Sequence, residues 1–565
     1  MLSAHTLFEP SLCGFHSPLV QIYSFVGVFF QQPPFSPMYS DQIRSSRTFV
    51  QKQIPSSKTR FLGAAILALS SVTWAEPTST LPEEKATDYM SKVRSCLDNL
   101  LEHGTDHYGP VHTSMLMSVM DTRTNESPRE PEELDGLIRS EGRLHRLNYR
   151  GADLWDDQPL IRTLYTMTDV TDDARYADAA AAYIQDYFTY AKKENGLLSW
   201  GSHIYYDAYA DQPAGDQNGK GPHETLVLCP DWERMWAVAP ERVQRQIELT
   251  WEWHVVDKKT GLHNRHDDKR KGCDFAFSGG EFGNAFAFLY TKTGKDKHRD
   301  WSRLIFNRHW DARNTDTNLS PDAPSTGERY DAHHSFSTLS GPHAALLLQA
   351  YVTTGDAWYR DMALAHIRAW GKHAWDAEAQ LYHGMLKLDG TPIPAMKRDD
   401  ASYDVWKPTG HADTWRATMF SYEFTLYAAQ TAVYAHQLTG DADALKTAKQ
   451  WATHIRSELP VSNGRRWKKE ILETLPDAAE TGGGYAENYG RAISFFLKLY
   501  RVTGNQEDFD TAMSIADEAV EKLYSNGWFK GHPAKPYYMS TDGVAYLLYA
   551  LTELAAYPEE FPPNL

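Results

Sequence analysis

The chain has 565 residues, 42% of them hydrophobic, and carries a formal net charge of -17 from 57 Lys and Arg against 74 Asp and Glu. That apolar content excludes disorder for the body of the chain, and the acidic balance argues against nucleic acid, which calls for a basic face. The 17 Trp and 31 Tyr serve either an aromatic core or stacking platforms for sugar rings. An anionic substrate requires a locally basic cleft, which net charge does not describe.

Residues 1–57 mix apolar and Pro-rich polar stretches without a sustained period. Lys58 and Arg60 then precede an apolar run from Phe61 to Val72, and Thr73-Trp74-Ala75 closes it before Glu76. A basic start, a short apolar stretch and a small residue at the cut are the marks of a secretory signal peptide. The run is too short to span a bilayer. Residues 1–75 are therefore expected to lie outside the fold, with the signal at 58–75, a start of translation at Met38, and export to the periplasm or beyond. Downstream, Cys96, Cys229 and Cys273 form an odd set without a CxxC, which excludes a disulfide scaffold and a cysteine zinc site.

From about residue 85 helical periodicity dominates, with a recurring punctuation. Tyr165-Thr-Met-Thr168-Asp169, Tyr290-Thr-Lys-Thr293-Gly294, Tyr351-Val-Thr-Thr354-Gly355, His436-Gln-Leu-Thr439-Gly440 and Tyr500-Arg-Val-Thr503-Gly504 share one pattern. Each closes an apolar segment and precedes another, such as 358–375, 442–459 or 509–523. Gly or Asp ends one helix in a left-handed turn and a polar connection starts the next. A diverged copy is expected around 241–256. Repeated hairpins with long Gly-, Trp- and His-rich loops (201–221, 315–341) point to a ring with a cleft at one mouth, since solenoid repeats are shorter and simply connected. The expected fold is all-α, an (α/α)6–7 toroid forming one catalytic domain over residues 80–560.

The chemistry-bearing residues sit in one stretch. His203 stands in Trp200-Gly201-Ser202-His203, Glu224 in Pro222-His223-Glu224, and Arg265 and His266 in His263-Asn264-Arg265-His266-Asp267-Asp268. Glu224 opens the apolar Thr225–Cys229, which reads as a helix entry, and Arg265-His266 reads as a polar loop after a helix ending near Val256. Two imidazoles and a carboxylate suit one divalent transition metal, and a neighbouring cation suits a uronate that bridges to it.

This arrangement, with His-Glu about twenty residues after Trp-Gly-Ser-His and Arg-His about forty beyond, resembles polysaccharide lyase family 2. Those are pectate lyases with an (α/α)7 toroid and a catalytic metal. The resemblance implies His203, Glu224 and His266 as metal ligands and Arg265 as the Brønsted base. The family's usual Gly-Gly before the first histidine is Gly201-Ser202 here, and specific motifs are confined to about 200–268. His2Glu ligation favours Mn, Co, Ni or Zn over calcium, which prefers oxygen donors. Arginine ordinarily stays protonated, so Arg265 is read either as base or as an electrostatic clamp on a carboxylate.

Other readings stay open. Gly327-Glu328-Arg329-Tyr330-Asp331-Ala332-His333-His334 offers Tyr330 and a histidine as base and acid of a metal-independent alginate or glucuronan lyase. Within the metal mechanism, Arg329, His333 and His334 become substrate-binding residues instead. Tyr206, Tyr403, Trp406, His411, Trp415 and Arg416 read as sugar contacts. Asp153, Asp156, Asp157 and Glu487 are the carboxylates available to a toroidal glycoside hydrolase. Gly482-Gly483-Gly484 lacks the GKS/T of a phosphate loop and reads as a loop before a helix. A glycan-binding toroid without catalysis is the non-enzymatic reading. The expected partner is an acidic polysaccharide or oligosaccharide, with no nucleic acid, membrane insertion or protein partner indicated.

Overall fold

Helices alternate between segments apolar on every face and segments apolar on one, and that difference sorts them into two layers. The computed structural model describes residues 81–129, 150–201, 203–225, 227–325, 332–394, 410–415, 424–461 and 483–556, all within one compact unit, 62–565. The signal sequence, Tyr330, Arg329, Tyr403, Trp406 and Arg416 lie outside the described residues.

Four inner helices are α6 (Ala276–Thr293), α8 (Ala344–Thr354), α10 (Thr425–Thr439) and α12 (Ala486–Thr503). Between Ala276 and Leu289 every side chain of α6 is buried, as expected of a helix surrounded by others. The outer helices α7 (Asp296–Asp311), α9 (Ala357–His373), α11 (Ala442–Arg456) and α13 (Gln506–Leu523) each bury one face. Between the members of these pairs stand Gly294, Gly355, Gly440 and Gly504, all left-handed, as the punctuation predicts. In the pair α2 (Gln158–Thr171) and α3 (Ala174–Tyr190) the left-handed cap is Asp172 instead of Asp169. A single further turn of helix accounts for the shift.

Two hairpins are less regular. The expected copy near 241–256 is α5 (Pro240–Trp253), whose partner is only the seven-residue α4 (Trp232–Val238). Across the chain ends, α14 (Val544–Ala556) packs on α1 (Glu83–His103) and also on α2 and α12. With α12 on α10, and the turn 339–343 joining α10 to α8 and α6, the ring is nearly closed. A cavity of about 230 Å³ lined by Arg162, Pro230, Asn284, Gln349 and Tyr434 joins α2, the segment before α4, α6, α8 and α10 at the far end. Among the described residues this makes seven hairpins, an all-α (α/α) toroid with n of seven.

After α5, α9 and α13 the chain makes a tight antiparallel hairpin before re-entering the ring: 255–257 with 262–263, 375–376 with 381–382, and 524–525 with 528–529. These rim the mouth at which the inner helices begin. The aromatic wealth is largely spent inside: Trp155, Trp200, Trp370, Trp451 and Trp528 are fully buried. No disulfide joins Cys96, Cys229 and Cys273 among the described residues.

Candidate active site

His203, Glu224, Arg265 and His266 converge at this mouth. Glu224 and His266 form an isolated antiparallel bridge, flanked by Thr225 N–H donating to Arg265 O at 3.1 Å and Asp267 N–H donating to His223 O at 3.2 Å. A pair flanked in this way is the closely spaced kind, with both side chains on one face. The expected helix entry at Glu224 is therefore corrected. Glu224 has extended backbone because it pairs with His266, Pro230 disfavours helix at Cys229, and helix begins only at Trp232, capped by Asp231. Arg265 likewise follows a β-hairpin strand, 262–263, and the preceding helix ends at Trp253.

His203 approaches from the other side. It immediately precedes the strand 204–207 of a three-stranded ribbon with 151–152 and 212–215. Gly201, with φ of 95°, lets that loop pass so close that a Cβ there would meet Glu224 O at 2.4 Å. Only glycine meets both demands.

Glu224 is 1% exposed and is the centre of the array. Its Oε1 lies 3.0 Å from His266 Nε2 and 3.1 Å from Arg265 Nε, and its Oε2 lies 3.4 Å from His203 Nε2. Burial disfavours its charge, but Arg265, then His203 and His266, outweigh that and hold the carboxyl well below the usual carboxylate range. Burial lowers the pKa of His266 against the pull of Glu224. His203 Nδ1 is 2.7 Å from Asp216 Oδ2; the carboxylate only accepts, so Nδ1 donates to it and Nε2 is the nitrogen that faces Glu224.

The donor set suits a metal ion. One nitrogen or oxygen from each of His203, Glu224 and His266 lies within 4.8 Å of the others. Glu224 Oε2 is buried without a hydrogen-bond partner, an arrangement that costs free energy unless a cation completes it. Donors about 2.1 Å from a tetrahedral ion are roughly 3.4 Å apart, close to the 3.0 Å and 3.4 Å found here.

Sequence reasoning missed the layer behind these residues. His254 Nδ1 donates to Asn264 O at 2.9 Å, His223 Nδ1 donates to His254 Nε2 at 2.8 Å, and Gln246 Nε2 donates to His223 Nε2 at 3.2 Å. Both rings are neutral in this chain: burial first, then the neighbouring imidazole, lowers His223, and burial brings His254 to about 4. Asp267 accepts from His223 N–H at 3.0 Å, Asn195 Nδ2 at 2.8 Å and Lys193 Nζ at 2.5 Å. The only signal in the sequence was adjacency: His223 beside Glu224, Asp267 beside His266.

The remaining expectations fare unevenly. Tyr206 is fully buried, as is the whole of its strand, so its reading as a sugar contact is corrected. Trp415 is also buried. His334 pairs with Lys387 on a short ribbon, and exposed His333 precedes it. His411 joins Asp376 and His383 away from Glu224. Asp153 is fully buried and accepts from Trp155 and Gly201 N–H, Asp157 accepts from Tyr183 at 2.6 Å, and Glu487 is paired with Arg491 at 3.0 Å. These carboxylates brace the fold. Gly483 and Gly484 lead into α12 as expected.

Comparison with known proteins meets this geometry at the same stretch. Residues 150–284, which include all four converging residues, match the family model described as periplasmic pectate lyase. A pectate disaccharide-lyase of Dickeya dadantii (strain 3937) is 23% identical over 264 residues, 41% of this chain and 45% of that protein. The chain thus spans less than half the length of this curated relative. Among solved structures, an alpha-1,6-mannanase of Salegentibacter sp. HEL1_6 is 10% identical with a TM-score of 0.41, covering 83% of this chain and 100% of that one. An unsaturated glucuronyl hydrolase specific for heparin is 11% identical with a TM-score of 0.43, covering 83% and 97%.

Proposed function

We propose that the chain is an exported polysaccharide lyase that cleaves an acidic, uronate-containing glycan, pectate foremost, by metal-assisted β-elimination. The observation that carries this reading is the convergence of His203, Arg265 and His266 on the buried carboxylate of Glu224. The match to a family described as periplasmic pectate lyase supports it, as does the name of the curated relative. Export rests on the signal read at 58–75 and on the word periplasmic in the family's description. No helix among the described residues is long and apolar enough to cross a membrane.

His203, Glu224 and His266 would hold the ion, of the Mn, Co, Ni or Zn class. When bound, it supplies a Lewis acid that stabilises charge developing on the uronate carboxylate. The chain's own residues do the rest. Asp216 keeps His203 in the ligating tautomer, and the ladder between 223–225 and 265–267 fixes Glu224 against His266. Arg265, anchored through Nε to Glu224, serves as the base for the C5 proton or as a clamp on the carboxylate. In the elimination the C5–H bond breaks, its electron pair forms the C4–C5 double bond, and the C4–O bond breaks with the departing oxygen taking up a proton.

The test is to incubate the mature protein with polygalacturonate, alginate and glucuronan, with and without chelator, and follow the ultraviolet absorbance of the unsaturated product. A chelator-sensitive rise on polygalacturonate is the expected result. A chelator-insensitive rise overturns the metal role. Reducing ends without the chromophore mean hydrolysis and overturn the lyase reading, and so does the absence of product on every uronan.

A further inference from the structure

A second ligand cluster stands on the rim two hairpins farther along the chain. Asp376 lies on the hairpin after α9, His383 immediately follows that hairpin, and His411 precedes α10. One donor atom from each lies within 4.8 Å of the others.

The backbone puts them there. His383 and His411 form an isolated antiparallel bridge, flanked by Gly384 N–H donating to Gly410 O at 2.9 Å and Ala412 N–H donating to Tyr382 O at 2.8 Å. This is again the closely spaced pair whose side chains share a face. The two imidazoles stack with centroids 4.9 Å apart and planes at 19°. Asp376 Oδ1 is occupied by the N–H groups of Glu378 and Ala379, both at 3.0 Å. That fixes the carboxylate and turns Oδ2 to the rings, 3.0 Å from His411 Nε2 and 3.9 Å from His383 Nε2.

We propose that Asp376, His383 and His411 form a second binding site for a divalent transition ion such as Zn2+, Ni2+ or Cu2+, which staples the hairpin after α9 to the segment leading into α10. Two neutral imidazoles and one carboxylate select this class over calcium and magnesium. Ligation uses each Nε2 lone pair, so the proton that His411 Nε2 shares with Asp376 moves to Nδ1. His411 is exposed and the other two are partly so, leaving the remaining coordination positions to water. The site needs neither the metal nor the activity assigned to Glu224 and its neighbours.

The experiment uses the full chain without a histidine tag, stripped by chelator and dialysed against Zn2+, with bound zinc counted by elemental analysis. The wild type is expected to hold one more equivalent than His411→Ala, and than Asp376→Asn, whatever the occupancy at Glu224. Affinity at this site should fall by more than the roughly 10- to 100-fold typical of outer-shell changes. Zn2+ should also raise the melting temperature less in His383→Ala than in the wild type, with the zinc-free melting temperatures equal. Equal zinc stoichiometry in wild type and both variants overturns the proposal. A His203→Ala chain that retains the extra equivalent supports it, and one that loses all zinc overturns it.

Discussion

Glu224 with its neighbours and Asp376 with His383 and His411 use one backbone device in two settings. In both, a closely spaced cross-strand pair just beyond a rim hairpin puts two donors side by side: Glu224 with His266, and His383 with His411. The third donor arrives from another segment in the first case and from the hairpin itself in the second. The surroundings then diverge. Glu224 is 1% exposed with a buried guanidinium against it, and neutral histidines back the loop behind. His411 is exposed and Asp376 and His383 are partly so, and a turn holds the carboxylate. The repeat supplies ligand geometry cheaply, whereas burial and a neighbouring cation separate a site equipped for chemistry from one equipped for holding an ion.

The largest expected contrast is in stability. Glu224→Ala removes the carboxylate that faces the buried Arg265 guanidinium, a loss of about 3–5 kcal/mol, measurable by urea unfolding, whereas Asp376→Ala in zinc-free protein forfeits only an exposed turn and should lose about 1 kcal/mol or less. Equal losses would erase the distinction. Acid separates the two regions next. His254 is ordinarily half-protonated near 6.5 when unfolded and is held at about 4 by burial in the fold. The unfolded chain therefore binds more protons between those values, and stability falls as pH drops from about 6.5 to 4. The loss is on the order of 3 kcal/mol. His254→Gln should flatten that part of the stability–pH curve, and an unchanged slope would remove His254 from the account. The groups facing it are His223, His266, Lys193 and Asp267.

The same contrast explains what the sequence disclosed. Helix termini were legible because Gly294, Gly355, Gly440 and Gly504 must be left-handed, a local demand written in one letter each. His203, Glu224, Arg265 and His266 were legible because they share one short stretch with recognisable spacing. The extended path of Glu224 was not, since an apolar run after a carboxylate also reads as a helix entry and only the partner strand 265–267 decides. Tyr206 failed for a related reason: the whole strand 204–207 is buried, which its own residue types do not show. Asp376, His383 and His411 were missed as a set because a bridge between His383 and His411 and the hairpin that carries Asp376 bring them together, and no sequence period encodes that pairing.

At the level of catalysis, Arg265→Lys should lower turnover on polygalacturonate by at least about 100-fold, the usual cost of losing one well-placed electrostatic group. The fold should survive, since lysine still pairs with Glu224. Full activity would discard Arg265 as base.

The smallest effect isolates the histidine tautomer. Asp216→Asn keeps size and a hydrogen-bonding group but removes the charge that holds His203 Nδ1–H. Asparagine can equally donate to Nδ1, which would place the proton on Nε2 and turn it away from ligation. Zinc affinity at the Glu224 centre is then expected to fall about 10- to 100-fold, with unfolding by urea unchanged and the rim site's zinc retained. Titration of the His411→Ala chain with and without Asp216→Asn reads this centre alone. Unchanged affinity would mean that the buried strand pair orients the ligands unaided, and the two regions would then differ in burial but not in how their histidines are aimed.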